Sequence, residues 1–73
     1  MMELKFTEPR PGYWEAKQGG CLFAIRQTSR DNFAAWVENL LSNHRQPAGW
    51  FRTLANAKTR LGVMANQAGK RKS

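Results

Sequence analysis

Cysteine, histidine and acidic residues are scarce in this sequence. Its 73 residues include one cysteine, Cys21, one histidine and five Asp or Glu. A single cysteine excludes an internal disulfide and a zinc site built from cysteines, and it fits a reducing, cytoplasmic setting. No Ser–His set, carboxylate pair, metal-ligand cluster or glycine-rich phosphate loop is recognisable. We therefore expect no enzyme activity, no cofactor and no metal.

Long apolar runs are also missing. No segment approaches the ~20 apolar residues of a membrane span, and the start, "MMELKFTEPR", lacks the apolar run of a signal peptide. We expect a soluble protein with no membrane partner. Because a chain of this size buries only ~60% of its unfolded surface, its core must be thin. We expect one domain over residues 1–68 and a flexible basic tail over 69–73.

Positive charge is what the sequence has in excess. Twelve Lys and Arg face five acidic residues, which gives a net charge of +7. A field of that sign attracts polyanions, of which nucleic acid is the commonest in a cytoplasm. Neutralising phosphates carries no sequence information, so the charge predicts a class of ligand and not a target sequence.

The first half of the chain reads as short strands. "LKF" alternates like a short edge strand, and the prolines and glycine of "EPRPG" (8–12) predict a break after it. "YWEAK" (13–17) and "CLFAIRQ" (21–27) flank a glycine turn and predict a β-hairpin. In that hairpin Cys21, Phe23 and Ile25 fall on one face, so Cys21 is expected to act as a small buried hydrophobe.

The segment "DNFAAWVENLLSN" (31–43) fits two structures. As a helix it has an apolar stripe with Asp31 as N-cap. The residues of that stripe are Phe33, Trp36, Val37, Leu40 and Leu41. As a strand it places Phe33, Ala35 and Val37 on one face and Trp36 on the other. Periodicity favours the helix, whereas a returning strand in "GWF" (49–51) favours the strand, with His44 in the loop between them.

The last element is expected to be a helix of about four turns that begins near Thr53, its N-cap. Leu54, Ala57 and Leu61 lie on its apolar side, half of which is alanine, so it should pack closely on a sheet. The fold class is therefore predicted as α+β, with three to four antiparallel strands packed against one C-terminal helix. The alternative is a β-hairpin followed by two helices.

Residues 34–61, "AAWVENLLSNHRQPAGWFRTLANAKTRL", resemble the three-stranded-sheet-plus-helix DNA-binding domains of phage and transposon tyrosine integrases and plant ethylene-response factors. The matching positions are Trp36 and Val37 in a strand, Phe51, Thr53 and the helix start. The hairpin in this chain is longer and more apolar. The resemblance implies that the sheet enters the major groove of DNA, with its outward Arg and Trp side chains on bases and phosphates.

Strand alternation indicates the same surface. If the helix covers Phe23, Ile25 and Phe51, the other side of the sheet shows Arg26, Trp50 and Arg52. The candidate nucleic-acid-binding residues are Lys17, Arg26, Arg30, Trp36, Arg45, Trp50, Arg52, Lys70, Arg71 and Lys72. Alternatively, Trp36 and Trp50 cover a second small core under the long hairpin.

Two functions follow from these observations. The first is a small nucleic-acid-binding protein, with duplex DNA as the expected ligand and a phage or mobile-element regulator as the expected role. The second is a protein–protein interaction module that uses exposed tryptophans, as a homodimer or as an inhibitor or adaptor of a host factor. Binding to a duplex should weaken steeply with salt, whereas an aromatic protein interface should not.

Overall fold

The computed structural model describes residues 4–70, and the side chains of residues 4–66. Its elements are β1 (Thr7–Arg10), β2 (Tyr13–Gln18), β3 (Cys21–Ser29), β4 (Asn32–Asn39), β5 (His44–Phe51) and α1 (Leu54–Lys70). The strands form one antiparallel sheet in chain order. The α+β class with a C-terminal helix is confirmed, but the sheet has five strands, where the sequence predicted three to four.

Strand β1 lies where the sequence predicted a break. It covers Thr7–Arg10, and the preceding residues Leu4 and Phe6 pack against the core without forming a strand. Pro9 cannot donate to a ladder, but it is tolerated on an edge strand, where one side needs no donor. The turn after β1 contains Gly12 with φ 81°.

Strand β4 decides between the two interpretations of residues 31–43. Phe33 and Ala35 are buried, whereas Leu40 and Leu41 of the predicted helical stripe are exposed in the turn after β4. The strand pairs with β3 on one side and β5 on the other. A helix here would leave the backbone groups of both neighbours without these partners. The two-helix alternative is therefore wrong.

The β2–β3 hairpin lies where it was predicted, and the predicted side of β3 faces the core. Its two-residue turn consists of Gly19 and Gly20, with φ values of 61° and 78°. Positive φ at both positions matches a type I′ turn, whose twist suits a hairpin. Cys21, Phe23 and Ile25 all contact the core, as expected.

Helix α1 begins at the predicted residue. The Asn56 amide donates to the Thr53 hydroxyl oxygen at 3.1 Å, which makes Thr53 the N-cap. Ala57, Leu61 and Ala65 are buried against the sheet, and the helix contacts β3, β4 and β5. Two alanines on this face let the helix lie close to the strands.

The core lies between α1 and one face of the sheet. Ile25 and Leu61 are each 0% exposed, and Phe23, Phe33 and Ala35 surround them. Trp14 joins this core, with its ring 6.0 Å from that of Phe33. Among the described residues the helix covers only one face of the sheet.

Candidate nucleic-acid interface

The open face is the side of the sheet that α1 does not cover. Cross-strand partners point to the same side of a sheet, so the register sorts the outward side chains into three rows. The first row contains Arg10, Tyr13, Arg26, Ala34 and Trp50. The second row contains Thr7, Glu15, Ala24, Trp36 and Pro47. The third row contains Lys17, Leu22, Glu38 and Arg45.

A β-bulge in β5 places Trp50 on this face. Pro47 and Trp50 are three residues apart, and a regular strand would put them on opposite faces. The register steps from Ala35 opposite Gly49 to Trp36 opposite Pro47, which leaves Ala48 as the extra residue. Gly49 has φ 128°, a conformation that side chains disfavour. As a result Trp50 lies outward beside Ala34, while Phe51 packs on the core.

Cationic and aromatic side chains stack across the open face. The Arg10 guanidinium lies 5.0 Å from the centre of the Tyr13 ring, and the Arg45 guanidinium lies 5.1 Å from the Trp36 ring. The two rings lie 6.3 Å apart at an interplanar angle of 39°. Ala24 lies on the strand between them and is 0% exposed, because these larger neighbours cover it. Trp36 therefore packs with Tyr13 and Arg45 in a small cluster on the open face.

The phenol of Tyr13 is hydrogen-bonded to a neighbouring carboxylate. Its hydroxyl donates to Glu15 Oε1 at 3.2 Å. Burial raises the pKa of the Tyr13 phenol above its ordinary value of 10.0, and the hydrogen bond and charge of Glu15 raise it further. Glu15 is one of the two carboxylates in the three rows, and this hydrogen bond gives it a partner within the protein.

Trp36 carries an unpaired donor. Its Nε1 atom is buried and has no hydrogen-bond partner among the described residues. An indole N–H withdrawn from water without an acceptor costs about 1–3 kcal/mol. Buried polar groups of this kind are exceptions in folded proteins.

A shallow apolar groove runs beside Trp36. Its volume is about 320 Å³, at the small end of the range for ligand sites. The groove is lined by Ala34, Ala35, Trp36, Arg45, Pro47, Gly49 and Trp50. Trp50 is 66% exposed, so it does not cover a second core, and its ring is available to a ligand.

The predicted arginines gather at one end of the sheet. The first row, with Arg26 and Trp50, lies nearest the β3–β4 turn, where Arg30 is located. Arg52 follows β5 at this same end. All three arginines are exposed. Three of the predicted cations thus lie at the same end of the sheet as the exposed Trp50.

The other predicted cations are separate from this group. Lys17 and Arg45 lie in the third row, at the opposite end of the sheet, and Arg45 pairs with Glu38 at 3.8 Å. Lys70 is the last residue of α1, and its side chain lies outside the described residues. Of the expected tail of 69–73, residues 69 and 70 are the last two of α1. Arg71 and Lys72 lie outside the described residues.

Sequence reasoning missed Arg10 and left Tyr13 out of the candidate residues. Arg10 lies in the proline-rich segment that predicted a break, although an edge strand tolerates such a proline. Tyr13 and Trp14 are adjacent, and either could face outward until the register was known. The glycine at position 12 could have indicated both residues, because it forms the turn through which β1 pairs with β2.

The remaining candidate residues show no further site. His44 is the first residue of β5 and not a loop residue, and it is exposed. Cys21 is partly buried against the core. Within residues 4–70 no three His, Cys, Asp or Glu side chains are grouped as metal ligands, and no described helix is both long and apolar enough to cross a membrane.

Comparison with known proteins adds no family assignment. No protein-family model, curated protein or solved structure matches this chain.

Proposed function

We propose that this protein binds nucleic acid through the open face of its sheet. The observation that carries the proposal is the first row, in which arginine and aromatic side chains share a surface opposite the helix: Arg10, Tyr13, Arg26 and Trp50. Guanidinium groups bind phosphate oxygens or guanine edges, and aromatic rings pack on bases and sugars.

The charge balance supports a polyanionic ligand. The net charge is +7. Both carboxylates of the open-face rows are engaged, since Glu15 accepts from Tyr13 and Glu38 pairs with Arg45. Arg26 is exposed and has no salt bridge to any carboxylate among the described side chains, so it is free to bind phosphate.

Duplex DNA is the form of nucleic acid that the sequence resemblance implies. A regulatory role in a phage or mobile element rests on that resemblance alone. Both remain predictions, and duplex DNA is accordingly one of the probes below.

The test compares two arginines of equal charge on opposite sides of the molecule. Arg26→Gln removes a cation from the open face, and Arg60→Gln removes one from the exposed surface of α1. Fluorescence anisotropy with duplex and single-stranded DNA, each over a range of salt concentrations, measures the affinity. Neither change should affect folding, because an exposed arginine contributes little to stability.

The proposal predicts that Arg26→Gln weakens binding and lowers the slope of log affinity against log salt by about 1, as expected for one lost phosphate contact. Arg60→Gln should keep a slope close to the parent's. Equal effects of both changes would show that only the total charge matters, and the open face would then not be the interface.

Exposed leucines favour a second function, protein binding. Leu41 is 91% exposed and Leu40 is 43% exposed, both in the turn between β4 and β5. Pro9 and Pro47 lie on the two edge strands and disfavour pairing with a further strand. A protein partner or a second copy would therefore contact side chains. Binding that persists at high salt and is lost in Leu41→Ala would support this alternative.

A further inference from the structure

We propose that the groove between Trp36 and Trp50 takes an unpaired base of a single-stranded nucleic acid. This inference rests on the proposed function and narrows it to one form of ligand. The open face is a five-stranded sheet, and its groove has an apolar lining that includes the exposed indole of Trp50.

The width of the sheet disfavours insertion of the whole face into a duplex. Four strand spacings of ~4.8 Å separate β1 from β5 by about 19 Å. The major groove is about 12 Å wide and admits a helix or a two-stranded ribbon. An extended single strand meets no such limit, because its bases and phosphates can lie along a flat surface.

The lining of the groove is mostly apolar and aromatic. The side chains of Trp36, Pro47 and Trp50 line it, with Ala34 and Gly49 between them. Surfaces of this kind bind the flat face of another ring. In a duplex the faces of the bases are hidden by their neighbours and only the edges are accessible. An unpaired base exposes its face, so it can stack on the exposed indole of Trp50.

Polar groups around the groove fit the rest of a nucleotide. The guanidinium of Arg45 lines the groove and is paired with Glu38 at 3.8 Å, whereas Arg26 lies in the same row as Trp50, separated from it by Ala34, and has no salt bridge among the described side chains. Arg26 is therefore the cation placed where a phosphate beside a base stacked on Trp50 would lie.

The first experiment changes only the ligand. The intact protein is titrated with a thymidine oligomer of about 12 nucleotides, within the site sizes typical of single-strand binders. A second oligomer of equal length is abasic at every position, and so keeps its phosphates while losing its bases. A duplex of equal length is the third probe. We expect abasic substitution to weaken binding by about 5- to 150-fold, the value of one stacked base.

The second experiment changes the groove. Trp50→Ala should weaken binding of the thymidine oligomer by a similar factor and bind the abasic oligomer as the parent does. Trp50→Phe should restore most of the affinity, because a ring is retained. Leu41→Ala is the matched control, since it also truncates an exposed apolar side chain but lies at the other end of β4. It should bind every probe as the parent does.

A third measurement follows the indole N–H groups by NMR. The protein has three tryptophans, and Trp14 packs on the covered face. On addition of the thymidine oligomer, the N–H resonances of Trp36 and Trp50 should shift, and that of Trp14 should stay in place. Equal shifts of all three would contradict binding in the groove.

The outcomes separate the inference from the proposed function. If the abasic oligomer binds as tightly as the thymidine oligomer, while Arg26→Gln still weakens both, the open face is the interface and the groove takes no base. If the duplex binds more tightly than the thymidine oligomer, preference for an unpaired base is likewise refuted. If Arg26→Gln and Arg60→Gln are indistinguishable on all probes, the proposed function itself fails.

Discussion

Replacing Gly49 by alanine tests the bulge that places Trp50 on the open face. Gly49 has φ 128°, and residues with a side chain pay about 1–3 kcal/mol in such sparsely populated regions. A Cβ atom here would meet Phe51 Cζ at 3.6 Å, which is ordinary van der Waals contact. The destabilisation should therefore come from the backbone conformation and not from a clash.

The matched control is Gly62→Ala in the middle of α1. A Cβ at Gly62 meets nothing within 4 Å, and its φ is not positive. Alanine should stabilise the helix at this position by about 0.5–1 kcal/mol. Both substitutions lower the entropy of the unfolded chain alike. The difference between them thus isolates the native backbone cost at Gly49, about 1–3 kcal/mol.

Thermal unfolding followed by circular dichroism measures this difference. For a domain of 60–100 residues 1 kcal/mol shifts Tm by about 4–8 °C, so Gly49→Ala should melt at least about 4 °C below Gly62→Ala. Gly49→Ala should also bind the thymidine oligomer more weakly, because Trp50 is displaced when the bulge relaxes. If Gly49→Ala melts with or above Gly62→Ala, Gly49 is not a strained bulge position and this account of Trp50 is wrong.

Two further predictions test the core and the open face. Leu61→Ala should destabilise the protein by about 2–5 kcal/mol in denaturant unfolding, because Leu61 is fully buried, and Val63→Ala, at an exposed position of the same helix, should cost far less; equal losses would contradict the packing of α1. Tyr13 is the chain's one tyrosine, so its absorbance titration should show a midpoint above 10.0, which Glu15→Gln should lower. Its contribution to stability is fully present below pH 10.0 and is lost as the pH rises through the raised pKa; a midpoint at or below 10.0 would refute the hydrogen-bonded, desolvated phenol.

Local signals in the sequence predicted the local parts of the fold. The glycine pair of the β2–β3 turn and the threonine before α1 act on their immediate neighbours, so their positions could be predicted from a few residues. The segment 31–43 could not be decided in this way. Its apolar residues do have helical spacing, but the segment pairs as a strand with β3 and β5. Leu40 and Leu41 of the helical stripe are consequently exposed.

The candidate site depends on the non-local part of the fold. Alternation alone placed Arg26 and Trp50 on one face, and the structure puts them there. The cation over Tyr13 was missed because a proline-containing edge strand has no clear sequence signal. The groove follows from a one-residue bulge at Ala48, whose only local indication is the glycine beside it.

Moving one positive charge from the open face to the helix separates binding at that face from attraction by the total charge. The double variant Arg26→Gln/Thr59→Lys keeps the net charge at +7, because exposed Thr59 of α1 gains the charge that Arg26 loses. Thr59→Lys alone is its control. In anisotropy titrations across salt concentrations, the double variant should bind nucleic acid as weakly as Arg26→Gln. Recovery of the parent's affinity would show that binding follows the total charge and that the open face has no special role.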